Sequence, residues 1–232
     1  MKLFRKIVSF GDSFAWGDEL LALDQTQCAD YGNRFYRQQR CYTGLLGSHY
    51  GVPTENLAFP DGSCQSTRWT YTWWRQQEPD PGSCLVLAQL SGPWRSSQFN
   101  QHRTQHETDA AWNRFAHSAW IDSYREHDRR AYQYFLAEQD LADCDDRSNL
   151  VQAETYLFFQ GQQQDVAALL MFNSQCHTLE HGIMTDNLLW QGHDLNWLLP
   201  ECEFWATNGH LNEQGHQKLA NMLIAEIDRV IL

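Results

Sequence analysis

Residues 6–17 read Lys6-Ile7-Val8-Ser9-Phe10-Gly11-Asp12-Ser13-Phe14-Ala15-Trp16-Gly17. Ile7, Val8 and Phe10 suit a strand covered on both faces, and strands of that kind belong to parallel sheets flanked by helices. Gly11 allows a tight turn where the apolar run stops, so Asp12 and Ser13 are delivered to the carboxyl edge of the sheet. Ligands of open α/β sheets bind beyond that edge, which makes the Ser13 hydroxyl a candidate nucleophile. Asp12 is expected to hold the turn through backbone hydrogen bonds.

Outward from this stretch, apolar runs alternate with helical patterns. Thr43 to Tyr50 fits a short helix, and Glu55 to Phe59 a short strand stopped by Pro60-Asp61-Gly62, a turn sequence. Ser63 to Gln77 reads as a helix and Cys84 to Leu90 as a second buried strand, with Pro79, Pro81 and Gly82 between them. From Asp109 to about Leu141, Trp112, Phe115, Ala119, Tyr124, Tyr132, Phe135 and Leu136 recur at helical intervals, which predicts one long or broken helix. Leu150 to Phe159 is expected to form another, closed by Gly161, and Val166 to Phe172 a third strand. Asn212 to Ile231 is the expected terminal helix, with Asn212 as N-cap and Glu213 favourable in its first turn. Asp18 to Gln39 is polar and reads as a long surface excursion. Strands alternating with helices imply an α/β fold with a parallel sheet and right-handed crossovers.

Length and composition bound the rest. At 232 residues one core suffices, so one domain is expected over 1–232, with 18–40 and 96–165 as insertions or helical elaborations. A hydrophobic share of 42% and a charged share of 20% fit a soluble globular protein. The net charge of −12 leaves no broad basic face, which argues against nucleic acid and against anionic membrane surfaces as partners. Seven cysteines without a C-x-x-C pair read as reduced thiols. Lys2, Arg5 and Lys6 precede no signal-like apolar stretch, and no run approaches the roughly 18 apolar residues of a membrane span. A cytoplasmic location is expected. Ten Trp within an aromatic share of 13% suggest a core plus some contact surface.

Serine is a weak nucleophile until a base takes its proton, and histidine is the usual base near neutral pH. Of ten histidines, His210 stands out, because the segment Thr207-Asn208-Gly209-His210-Leu211-Asn212 forms a loop directly before the terminal helix. His216 falls inside that helix and reads as a packing residue. His102/His106 and His177/His181 have helical i, i+4 spacing but lack the Glu beside the first His and any Cys cluster, so no metal and no cofactor are expected. Arg68 and Arg95 are placed near the carboxyl edge, where either could bind a substrate carboxylate or phosphate, or pair with Asp61 or Asp12.

These motifs resemble those of the SGNH (GDSL-type) hydrolase superfamily. Phe10-Gly11-Asp12-Ser13-Phe14 matches its first block, Asn56 to Ser63 its second, and His210 to His216 its last. The chain looks most similar to a subgroup common in tailed phages and marine bacteria, through Gly11 to Leu20, Gly62 to Arg68 and Ser91-Gly92-Pro93-Trp94-Arg95. The resemblance implies a flavodoxin-like three-layer α/β/α sandwich and hydrolysis of acetyl or acyl esters, often on carbohydrates or lipids. It implies Ser13 as nucleophile, His210 as base, and the Ser13 and Gly62 amides as oxyanion donors; from their placement, Trp94, Arg68 and Arg95 are the expected substrate-binding residues. A small-molecule or carbohydrate ester is the expected partner, and homo-oligomer or virion assembly is open.

The chain departs from the family pattern twice. After Leu90 it has no asparagine for the oxyanion hole, and removing one such donor can lower the rate about 10²- to 10³-fold. Ser91 or Arg95 is the expected partial substitute. Before His210 stand Thr207 and Asn208 in place of an acid. Asn208 can orient the imidazole, Asp194 or Glu203 can supply charge from elsewhere, or Ser13 and His210 act as a dyad. A non-catalytic binding protein on the same scaffold, such as a virion component, is the competing expectation, and a carbohydrate-binding module using Trp94 or Trp16 is a third.

Overall fold

The fold is given by a computed structural model that describes residues 4–18, 20, 34–59, 62–91, 95–99, 112–116, 141–162, 167–172, 188–206 and 209–231; for 34, 95–99, 112–116, 141–149, 172, 191–192 and 230–231 it describes the backbone. The strands are β1 (Lys6–Phe10), β2 (Thr54–Asn56), β3 (Cys84–Leu90), β4 (Arg95–Phe99), β5 (Trp112–Ala116) and β6 (Ala167–Phe172). Four of them form a parallel sheet in the order β2-β1-β3-β6, with Ser9 opposite both Asn56 and Leu87 and Leu87 opposite Leu169. Counting only these parallel strands the order is 2-1-3-4, the flavodoxin-like arrangement, whose direction reverses between β1 and β3. The crevice at that reversal lies where Ser13 follows β1 and Ser91 follows β3.

Helices α1 (Ser13–Trp16), α2 (Arg34–Arg40), α3 (Tyr42–Tyr50), α4 (Cys64–Gln77), α5 (Leu141–Gln162), α6 (Leu195–Leu198) and α7 (Glu213–Ile231) accompany the sheet. β3 shows why the strands were readable: all seven residues of Cys-Leu-Val-Leu-Ala-Gln-Leu are buried, and successive side chains face opposite layers. Leu85 and Leu87 join Ile7, Leu46, Leu219, Leu223 and Ile227 on the side of α3 and α7. Val86, Ala88 and Leu90 join Val8, Phe10, Tyr71, Trp74, Tyr156 and Phe159 on the side of α4 and α5. This is the expected layering of helices on both faces. Among the described residues no helix is long and apolar enough to cross a membrane.

The structure corrects several local expectations. Residues 112–116, expected to be helical, form β5 and pair antiparallel with β4, Arg95 opposite Ala116. Trp112 and Phe115 are good strand formers, and a ladder to a neighbouring segment overrides a loose helical period. The rest of that predicted helix up to 140 lies outside the described residues. The excursion after Asp18 contains α2, whose sequence Arg-Phe-Tyr-Arg-Gln-Gln-Arg has helix-forming Arg and Gln and no Gly or Pro. α5 starts at Leu141, earlier than expected, and Gly161 lies within its last turn. β2 ends at Asn56; the next residues still follow β1, since the Leu57 and Phe59 amides donate to the Ser9 and Gly11 carbonyls at 2.9 and 3.2 Å.

Candidate active site

Ser13 opens α1 directly after β1, and the Asp12 carboxylate caps that turn by accepting the Phe14 amide at 3.1 Å. Asp12 is fully buried, so its role is to hold the turn. His210 is presented by a loop tied to its own base. The Ala206 amide donates to the His210 carbonyl at 2.7 Å, Gly209 donates to Ala206, and Trp205 and Leu211 form a bridge. Asn212 fastens the same loop to α7: its amide group donates to the Glu203 carbonyl at 2.6 Å while its Oδ1 accepts the Gly215 amide at 2.9 Å. Phe14 packs on the imidazole with centroids 4.9 Å apart and also meets Trp205 edge-on.

These constraints bring His210 Nε2 within 2.9 Å of Ser13 Oγ, a hydrogen bond between residues 197 positions apart. The other ring nitrogen, Nδ1, is buried and has no partner among the described residues. Among the described residues the carboxylate near the ring is Asp18, with Oδ2 4.0 Å from Nε2. Sequence reading missed it, because Asp18 sits at the start of a stretch taken for an excursion. The Gly17 that precedes it, a helix-stopping residue after a short turn, was the available signal.

The second block is close to the serine but already engaged. A Cβ on Gly62 would come 2.5 Å from the Gly11 carbonyl oxygen, so only glycine fits against the β1 turn. The Gly62 amide donates to the Phe59 carbonyl at 3.1 Å, which means an oxyanion would have to share or displace that bond. Ser91, the expected substitute donor, commits its hydroxyl hydrogen to the Gly62 carbonyl at 2.9 Å; Gln152 and Cys64 in turn donate to the Ser91 carbonyl. Ser91 is therefore a brace for the Gly62 turn.

The remaining candidates separate. Asp194 caps α6 by accepting the Trp197 amide at 2.9 Å, and Glu203 is exposed; neither pairs with His210. Arg68 forms an ion pair with Glu154 of α5 at 3.4 Å, a contact between helices. Trp16 is half-buried under the Arg37 guanidinium, 4.9 Å from the ring centroid, so it is not an open glycan platform. Trp94, Asp61, Thr207, Asn208 and both histidine pairs lie outside the described residues, as does the Arg95 side chain. His216 is fully buried; its Nδ1 accepts the Tyr42 amide at 3.3 Å, and burial, aided by nearby His210, pushes its pKa down to about 3. Among the described residues no group of three or more His, Cys, Asp or Glu is gathered as a metal would require.

No family model and no curated protein matches the chain. Solved structures similar to it include a member of the lipolytic protein G-D-S-L family from Veillonella parvula DSM 2008, at 12% identity and TM-score 0.49 over 97% of this chain and 98% of that one. A lipase from a goat rumen metagenome matches at 10% and 0.48, over 95% and 96%. A two-domain esterase active on acetylated mannans matches at 14% and 0.45, over 97% of this chain but 48% of the esterase. At such identities and scores, the functional reading rests on the site residues themselves.

Proposed function

We propose that this protein is a serine-dependent carboxylic ester hydrolase of SGNH type, with Ser13 as nucleophile and His210 as general base. The observation that carries this reading is the 2.9 Å contact between His210 Nε2 and Ser13 Oγ at the carboxyl end of β1. Nε2 accepts the serine proton as Oγ attacks the ester carbonyl carbon, and the same proton then passes to the leaving alcohol. Water repeats the sequence on the acyl-enzyme and releases the acid. The Ser13 amide, at the start of α1, is one donor to the oxyanion, and the Gly62 amide is a second when it turns from the Phe59 carbonyl. With Ser91 occupied as a brace, this hole is thinner than one holding an asparagine, and a slow enzyme is expected. Acetyl and other short acyl esters of carbohydrates or small alcohols are the proposed substrates.

The test is turnover of p-nitrophenyl acetate together with labelling by a fluorophosphonate. Wild-type protein should do both, Ser13→Ala should lose both, and His210→Ala should fall by at least about 10³-fold. Well-folded protein that shows neither turnover nor labelling overturns the proposal. A second reading, a non-catalytic binding protein such as a virion component, is favoured by the engaged Gly62 amide and by His210 Nδ1, which has no partner among the described residues. It predicts no turnover even in Asn208→Asp, where a weakened enzyme would gain activity.

A further inference from the structure

We infer that Asp18 supplies, from the Nε2 edge of the His210 ring, the negative charge that the imidazole needs on taking the Ser13 proton, an inference that rests on the hydrolase reading above. Three features of the site support it. The first is how the chain returns. Gly17 stops α1 in the left-handed region, at φ 83°, and the Gly17 and Asp18 amides both donate to the Ser13 carbonyl, at 3.1 and 3.0 Å. A Cβ at position 17 would sit 3.1 Å from that of Cys41 and 3.0 Å from Leu20 Cδ1, so both conformation and space demand glycine there. Asp18 is thereby turned back beside the serine by the same short helix that presents it.

The second feature is the Nδ1 side of the ring. Nδ1 is buried without a partner among the described residues, and Thr207 and Asn208, at the positions where an acid would precede the histidine, carry no charge. The third is the electrostatics of the Nε2 side. Asp18 Oδ2 stands 4.0 Å from Nε2, and the two side chains are only 18% and 21% exposed. At this distance a carboxylate attracts the positive charge that forms on the ring when the serine proton arrives, and partial burial limits screening by salt.

The proton inventory is simple. The Ser13 O–H bond breaks, its proton goes to Nε2, Oγ bonds to the carbonyl carbon and the carbonyl electron pair moves to oxygen. On collapse the bond to the alcohol oxygen breaks and that oxygen takes the Nε2 proton. Asp18 gains and loses no proton; it stabilises the ion pair in between and so acts through His210 as a positioning residue. The same charge near the reacting pair disfavours anionic esters.

Steady-state kinetics on p-nitrophenyl acetate test this. Asp18→Asn should lower kcat about 10- to 100-fold with KM within about two-fold, less than the ~10⁴ seen when a directly hydrogen-bonded acid is neutralised in a serine protease. Asp18→Glu should recover most of the loss. Asp18→Ala should be rescued by added formate and not by chloride, a response that a purely structural role would not give and that remains readable if Asp18→Asn folds poorly. Asp18→Asn with kcat within two-fold of wild type, while Ser13→Ala is dead, overturns the inference and leaves the hydrolase reading standing. An inactive, well-folded wild type overturns both.

Discussion

The two faces of the parallel sheet are built differently. Toward α4 and α5 the core is aromatic: Phe10 meets Tyr71 and Trp74 edge-on at 5.5 and 5.7 Å, and Tyr71 meets Phe159 at 5.0 Å. The Tyr156 hydroxyl there accepts from Gln160 at 2.8 Å, while the Trp74 ring nitrogen and the Thr67 hydroxyl have no partner among the described residues. Toward α3 and α7 the core is mainly aliphatic near the amino ends of the strands, with Phe4 edge-on to Tyr50, but near the carboxyl ends it buries Ser9, Gln89, Tyr42 and His216. The Ser9 and Tyr42 hydroxyls, both amide atoms of Gln89 and His216 Nε2 have no partner among the described residues. Each such group costs about 1–3 kcal/mol unless buried water satisfies it. The aromatic face holds fewer such groups, and the polar face, which also holds the Ser13 and His210 pair, bears the burden of a site.

That contrast makes graded predictions. Phe10→Ala, which empties the centre of the aromatic cluster, should lose about 3–5 kcal/mol in urea unfolding. A loss under about 1 kcal/mol would mean the aromatic cluster contributes little. On the polar face, His216 has a folded pKa near 3 against an ordinary value of about 6.5. Between those values the unfolded chain binds the extra proton, so stability is complete above about pH 6.5 and is lost as pH falls toward 3, by about 2 kcal/mol at pH 5. His216→Gln keeps an acceptor for the Tyr42 amide and removes the titration. It should flatten this part of the pH dependence; equal losses between pH 7 and 5 in both proteins would show that His216 is not the source. The smallest effect is expected for Gln89→Leu, a gain of about 1 kcal/mol because an apolar side chain replaces an unpaired amide. A loss instead would show that the amide is satisfied by bound water.

Much of this was legible locally. β3 announces itself as a continuous apolar run bounded by Gly82 and Ser91, and α4 by Ser63, whose hydroxyl and amide exchange a capping box with Ser66. Asn212 caps α7 as its position suggests. What escaped reading depends on partners. β5 is a strand because β4 lies beside it. Arg68 faces Glu154 because α4 and α5 pack together. The Ser91 hydroxyl is committed to the Gly62 carbonyl, an acceptor that comes within reach only where segments meet at the end of the sheet.

The sequence by itself determined that a serine follows a buried strand and that a histidine precedes the last helix, because apolar runs, turn residues and caps act over a few neighbouring positions. The tertiary structure decided that these two groups meet at 2.9 Å, and that among the described residues the carboxylate beside the ring is Asp18 at the Nε2 edge. Those distances depend on strand order and on the seating of α7 against α3, and contacts across 197 positions are set by packing.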